Sequence, residues 1–309
     1  MNNKKVLITG AHGFVGKNLV KYINNLYPKA ELLTPTRHEC DLVCDKSVKE
    51  YFSKNSPQIV LHLAGKVGGI YANKTLPADF FYQNIMIGTL VMEHSYRSGV
   101  EKLVALAAGC GYPKDNAVPF TEESFWHGLP DINTRAYSMA KKNLIVQSWA
   151  YREQYDFNSC ILLPANLYGP HDNFHLTMSH VVPALIRKFI EARDSNTDVT
   201  VWGSGKATRE FLYVEDMAKS IVDTALKFDE SGPLNVGTGV ETSIRQLVNL
   251  ISDATDFKGN IIWDASKPDG QLRRFYDMSK FEKSIGYIPN TSIEKGLQQT
   301  VAWYEKNKL

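Results

Sequence analysis

Seven residues near the amino end, Gly10-Ala11-His12-Gly13-Phe14-Val15-Gly16, leave this chain few folds to choose from. They follow the apolar run Val6-Leu7-Ile8. A short buried strand that passes through three spaced glycines into a helix is the opening of a dinucleotide-binding βαβ unit. Gly10 permits the tight turn, Gly13 lets backbone approach a pyrophosphate, and Gly16 lets helix pack on strand. Unpaired N–H groups of the first helical turn, at Phe14 and Val15, and the positive end of the helix dipole complete an anion cradle.

Strand and helix continue to alternate through residue 165. The pattern predicts helices over Phe14–Leu26, Pro77–Ser98 (closed by Gly99) and Thr134–Tyr155. Strands are expected over Glu31–Thr34, Ile59–Leu63, Lys102–Leu106 and Ser159–Leu163. Ala136, Ala140 and Leu144 form a stripe suited to close packing on a sheet. Such alternation predicts an α/β protein: a Rossmann doubly wound parallel sheet with right-handed crossovers. After Pro164 the pattern loosens, and Phe211–Lys227 reads as a further sheet-packing strand and helix. The expected division is a Rossmann domain of 1–165 and 211–229, and a smaller, discontinuous α/β substrate domain of 166–210 and 230–309.

Composition narrows the function classes. With 43% hydrophobic and 22% charged residues and a net charge of +2, the 309-residue chain has no nucleic-acid stripe and no membrane-binding face. The first apolar run is too short for a signal peptide or a membrane span, so a cytoplasmic address is expected. Of the four cysteines, Cys40, Cys44 and Cys160 are expected to be structural. Cys40 and Cys44 lack a second pair at zinc spacing, so no metal site is expected, and so few thiols do not make a disulfide framework.

The end of the second strand selects the cofactor. NAD binders place a carboxylate there for the ribose 2′-hydroxyl. This chain reads Leu32-Leu33-Thr34-Pro35-Thr36-Arg37, so Arg37, with His12 beside it, is expected to pair the 2′-phosphate of NADP(H). Asp41 and Leu42 are expected to bound the adenine, and Leu63-Ala64-Gly65 to end the third strand beside the cofactor. Tyr137-Ser-Met-Ala-Lys141 puts a phenol and an ammonium on one helix face. A neighbouring ammonium stabilises phenolate, so the tyrosine pKa is expected to move down from ~10 toward neutrality. Tyr137 then trades a proton with a carbonyl oxygen beside a nicotinamide.

With these residues stand His62-Leu-Ala-Gly-Lys-Val-Gly-Gly-Ile70, Cys110-Gly-Tyr-Pro113, Pro164-Ala-Asn-Leu-Tyr-Gly-Pro-His-Asp-Asn-Phe174, Ser179-His180, Val201-Trp-Gly-Ser-Gly205, Arg209-Glu-Phe211, Asn235-Val-Gly-Thr-Gly239 and Asp264-Ala-Ser-Lys-Pro-Asp-Gly270. Over essentially its whole length the chain resembles the extended short-chain dehydrogenase/reductases, and more narrowly the GDP-L-fucose synthase family. The resemblance implies epimerisation at C3 and C5 of a GDP-4-keto-6-deoxy sugar, with Cys110 and His180 as the acid–base pair. NADPH then reduces C4 while Tyr137 protonates O4, and Lys141 holds the nicotinamide ribose. It also implies cofactor contacts from Ala107, Ala108, Pro164, Asn166, Leu167 and His180. The sugar would meet Ala108, Cys110 and Asn166, and Trp202 and Asp269 match substrate contacts. Arg209 would hold the diphosphate, partnered by Arg187 or Lys188. Helix 77–98 and the catalytic helix would pair with their mates in a homodimer.

One position departs from that family, which reads Ser-Ser-Cys where this chain has Ala108-Gly109-Cys110. Losing a donor to a substrate oxygen typically costs ~10²–10³ in rate. Three readings stand: a pocket that Ala108, Gly109 and Gly111 enlarge for a bigger sugar such as a 6-deoxy-heptose, which we prefer; a water or backbone N–H in the hydroxyl's place; or a reductase that no longer epimerises. Two further function classes use the same scaffold. An NAD-dependent nucleotide-sugar 4-epimerase or 4-dehydrogenase is opposed by Arg37. A non-catalytic dinucleotide sensor is opposed by the retained Tyr137 and Lys141.

Overall fold

In the computed structural model, which describes residues 1–175, 179–267 and 269–308, the first apolar run forms β1 (Lys5–Thr9). Val6, Leu7 and Ile8 are fully buried in it. The glycine turn leads into α1 (Phe14–Leu26), and the chain continues through β2 (Glu31–Leu33), α2 (Asp45–Asn55), β3 (Ile59–His62), α3 (Ile70–Thr75), α4 (Pro77–Arg97), β4 (Lys102–Leu106), α5 (Arg135–Tyr155) and β5 (Ser159–Pro164). Pro77 opens α4 at a position where its missing N–H costs nothing. The remaining elements are β6 (Asn166–Tyr168), α6 (Val181–Ser195), β7 (Val199–Trp202), β8 (Thr208–Arg209), β9 (Phe211–Tyr213), α7 (Val214–Lys227), β10 (Pro233–Val236), β11 (Thr242–Ser243), α8 (Ile244–Ala254), β12 (Ile261–Asp264), α9 (Ser279–Ile285) and α10 (Ile293–Asn307).

The central sheet has six strands in the order β10-β5-β4-β3-β1-β2, all paired in parallel. The order turns back beside β1, between β1 and β3, and there the loops after both strands open a crevice. Helices α2, α4 and α5 form one outer layer, while α1, α7 and α9 form the other. A second core gathers Tyr168, Ile186, Phe189, Leu247, Val248 and Leu297 from β6, α6, α8 and α10.

Three sequence expectations need correction. Strand β9 pairs with β6 outside the central sheet, so only α7 of the 211–227 segment packs on that sheet. Residues expected in the second unit belong to the first: β10 hydrogen-bonds to β5, and Tyr276, Met278, Phe281 and Ile285 join the main core. The stripe on α5 meets a helix as well as the sheet. A Cβ on Gly88 of α4 would stand 3.2 Å from Leu144 Cδ1, so the missing side chain lets the two helices approach.

Candidate active site

Gly10 and Gly16, at either end of the turn after β1, have no room for a side chain. Gly10 has φ +73°, and a Cβ there would lie 2.9 Å from Ala64 N, on the loop after β3. A Cβ on Gly16 would lie 2.2 Å from Gly10 O. Gly13 caps α1 without a side-chain hydrogen bond, so the first-turn amides of Phe14, Val15 and Gly16 face the crevice as an anion cradle. At the neighbouring edge His12 Nε2 lies 3.1 Å from Thr34 O, which brings its ring to the end of β2. Arg37 is exposed there, with its Nε 3.8 Å from Asp41 Oδ1. Asp41 is tied into its own turn by Val43 N at 3.3 Å, and Leu42 packs against the core. Glu39 accepts from Thr36 N and Thr36 Oγ1 at 2.7 and 2.8 Å, which commits that carboxylate to the local loop.

The catalytic candidates sit on the first two turns of α5 and on the turn after β4. Burial leaves Lys141 only 6% exposed, and its Nζ donates to Leu106 O at 3.1 Å. A Cβ on Gly65 would come 3.2 Å from that Nζ and 2.8 Å from Asn84 Oδ1, so Gly65 gives the β3 loop access to the lysine. Asn84 clamps this loop, accepting from Lys66 N and donating to Lys66 O. The Tyr137 ring packs edge-on against Phe80, centroids 6.2 Å apart. Ser138, the residue between, donates to Cys110 O at 3.0 Å and to Cys110 Sγ at 3.2 Å. Cys110, Tyr137 and Lys141 are therefore one cluster, fastened by a serine that sequence reasoning did not single out.

Electrostatics correct one expectation. Burial, with the Cys110 charge second, raises the Tyr137 pKa instead of lowering it. Lys141 donates one of its N–H groups to Leu106 O and is itself lowered by burial to about 8. Nearby, buried His62 bonds the Thr9 hydroxyl at 2.7 Å and is held neutral, its pKa pushed to about 3 by burial and then by Lys141. His180, the N-cap of α6, keeps exposed surface although protein crowds around it, and that crowding lowers its pKa. Among the described residues it forms no hydrogen bond to Cys110, Tyr137 or Lys141.

The substrate candidates divide. Asn166 Nδ2 donates to Glu210 O at 2.9 Å, and Ala107 closes the top of β4 through N to Leu162 O. Leu167 packs on the main core, and Pro164 O receives the Tyr276 hydroxyl at 3.0 Å. Trp202 is 69% exposed at the end of β7. Asp269 holds the turn beside it, accepting from Ser204 N at 2.6 Å and Ser204 Oγ at 2.7 Å. Arg187 turns to the far side of α6, toward Glu191 and Phe174 O, whereas Lys188 Nζ reaches Thr200 O of β7 at 2.9 Å. Arg209 donates to Thr208 O and Gln271 O; burial, and then the charge of Arg274, lowers its pKa. Arg274, which the sequence did not single out, lies close to Arg209. Its neighbour Arg273 pairs with Glu241, and only the fold separates the two roles.

A parallel sheet with a glycine cradle and a Tyr–Lys helix beside it defines a dinucleotide-dependent enzyme of the short-chain dehydrogenase/reductase type. Residues 6–237 match the NAD dependent epimerase/dehydratase family, and the chain belongs to it. It is 39% identical to GDP-L-fucose synthase of Sinorhizobium fredii, over 99% of this chain and 97% of the relative. It is similar in structure to an NADP-bound GDP-L-fucose synthetase from Naegleria fowleri (TM-score 0.92, 29% identity, 99% of this chain and 95% of the other). It is equally similar to a GDP-6-OMe-4-keto-L-xylo-heptose reductase from C. jejuni (TM-score 0.92, 28% identity, 100% and 99%).

Proposed function

We propose that this chain is an NADPH-dependent 4-reductase of a GDP-4-keto-6-deoxy sugar, a deoxyhexose or deoxyheptose, with epimerisation at C3 and C5. The observation that carries this reading is the convergence of Cys110, Tyr137 and Lys141 beside a cradle in which Gly10 and Gly16 have no space for a Cβ. The fit of that cradle to a pyrophosphate, and of Arg37 and His12 to a 2′-phosphate, supports NADP(H) as the cofactor. When bound, NADPH supplies the hydride for C4.

The protein's own residues supply the protons and the grip. A 4-keto group acidifies C3–H and C5–H, and Cys110 and His180 form the acid–base pair that acts on them. His180, its pKa lowered, is neutral near pH 7 and able to accept a proton. Tyr137, its pKa raised, keeps its proton at working pH and can donate it to O4 as reduction proceeds. Lys141 keeps its charge below about pH 8 and orients the nicotinamide ribose. Two guanidiniums that repel each other, Arg209 and Arg274, favour an anion between them, which suits the diphosphate. Lys188 reaches the backbone of β7, the strand that ends in Trp202, and is the better of the two helix cations for the same role, since Arg187 pairs with Glu191; Asp269 acts through the turn after Trp202. Of the three small residues expected to enlarge the sugar pocket, Gly109 and Gly111 leave space that the Tyr276 hydroxyl and the Phe125 ring fill, so the enlarged pocket rests on Ala108 alone, and the similarity to a heptose reductase supports it.

We further propose a homodimer through α4 and α5, whose outer faces expose Phe81, Tyr82, Met139, Val146 and Tyr155, and a cytoplasmic address, in keeping with a nucleotide-sugar substrate. Among the described residues no helix is long and apolar enough to cross a membrane.

The test offers GDP-4-keto-6-deoxymannose and its heptose counterpart with NADPH in D₂O. Expected are NADPH consumption, deuterium at C3 and C5, and turnover of the heptose at least equal to that of the mannose derivative. Consumption with neither sugar sinks the reductase reading. A much faster mannose derivative sinks the enlarged pocket, and absence of deuterium removes Cys110 and His180 as an epimerising pair.

A further inference from the structure

The turn that carries Cys110, the 3-10 segment Gly109–Gly111, has a neighbour that its own sequence does not reveal. A Cβ built on Gly109 would lie 1.8 Å from the Tyr276 hydroxyl, 3.1 Å from Arg274 Nη2 and 3.1 Å from Pro164 O. No side chain at 109 can coexist with that phenol. Tyr276 is 3% exposed, and its backbone is pinned at both ends: its N donates to the buried Glu210 carboxylate at 2.8 Å, and it bridges to Phe120. Its hydroxyl donates to Pro164 O at 3.0 Å, at the carboxyl end of β5. A phenol has one proton, so its oxygen remains free to accept, and the Arg274 guanidinium is its donor.

We propose that Tyr276 is a positioning residue for the reaction: its hydroxyl, seated in the space that Gly109 leaves, braces the Cys110 turn against the end of β5 and holds Arg274 beside it. This rests on the reading of the site given above. One oxygen thereby joins the backbone of the turn that carries the thiol, by packing contact, to the end of β5 and to a cation of the proposed diphosphate site, by hydrogen bonds. Gly109 and Tyr276 form a matched pair, since either residue alone in the other's absence leaves a clash or a hole.

Tyr276→Phe removes only the oxygen. With GDP-4-keto-6-deoxymannose and NADPH in D₂O, it is expected to lower deuterium uptake and kcat about tenfold, the weight of one hydrogen bond, with a smaller change in KM. Gly109→Ser alone is expected to inactivate by clash, and Gly109→Ser with Tyr276→Leu to regain activity over Gly109→Ser. A substrate-independent readout separates this inference from the functional one: the pH profile of Cys110 alkylation by iodoacetamide, followed peptide by peptide, shifts in Tyr276→Phe while the thermal midpoint does not fall enough to unfold it. If wild-type protein turns over neither sugar, the functional reading fails and the alkylation profile still decides the positioning role. An unchanged profile in Tyr276→Phe, wild-type kinetics in that variant, or a double variant no better than Gly109→Ser overturns the proposal.

Discussion

A phenol buried beside a thiol and a lysine is a poor base and a good proton donor, and that asymmetry suits reduction. Tyr137 keeps its proton because burial raises its pKa. Tyr137→Phe is expected to lose ~10²-fold or more of NADPH-oxidising turnover while its affinity for NADP(H), read by fluorescence titration, stays unchanged. Lys141 carries the complementary prediction. Its charged form is complete at low pH and lost as pH rises through about 8. kcat/KM should therefore fall with a one-proton slope through that pH, and the residual activity of Lys141→Arg should lack this break, because a guanidinium stays protonated. A break that persists in Lys141→Arg assigns it to another group. That Tyr137 and Lys141 share one helix was legible from their spacing. Their pKa directions were not, because burial depends on Phe80, the Cys110 turn and the β3 loop, which reach α5 from elsewhere in the chain.

Elements were legible where apolar periodicity and a cap coincide in one window. Helix α1 begins at Phe14 and ends at Leu26, and β4 covers Lys102–Leu106, as their residues imply. Strand β10 escaped because Pro233-Leu-Asn-Val236 has neither alternation nor an apolar run. Its Asn235 is fully buried, and the bonds that make this possible come from Phe120 O, Tyr112 and Glu122, all distant in sequence. The same holds for Glu210, whose buried carboxylate receives Thr238 N, Gly239 N and Tyr276 N and so joins three loops. Glu210→Ala orphans those donors at ~1–3 kcal/mol each. A fall of roughly 5 °C or more in Tm by circular dichroism is expected. In the glycine turn, Gly16→Ala forces a methyl to within 2.2 Å of backbone that cannot yield. A loss of ~1–3 kcal/mol and abolished NADP(H) binding are expected; retained binding would refute the cradle.

At the scale of the molecule, two cores meet at the cleft. The first gathers almost everything through residue 163 and then takes back Leu212, Met217, Leu234 and Phe281, while the second is built from what lies between and after. The presence of two units was legible from the loosening after Pro164, but their seam was not, because it is set by which faces pair and not by composition. The outward faces of α4 and α5 leave Tyr82 60% and Val146 48% exposed. Val146→Glu should shift sedimentation from dimer to monomer without loss of NADP(H) binding; an unchanged mass in both proteins places the interface elsewhere.

The late arrival of β10 bears on how the chain is born. Strand β5 pairs on one side with β4 and on the other with residues 233–236. Until the ribosome has delivered those residues, β5 presents a bare row of backbone donors and acceptors, flanked by the most apolar layer of the protein. The nascent first half is thus complete in outline yet adhesive along one margin, and a fragment cut after residue 229 should seek strangers' strands and precipitate where the whole chain stays in solution.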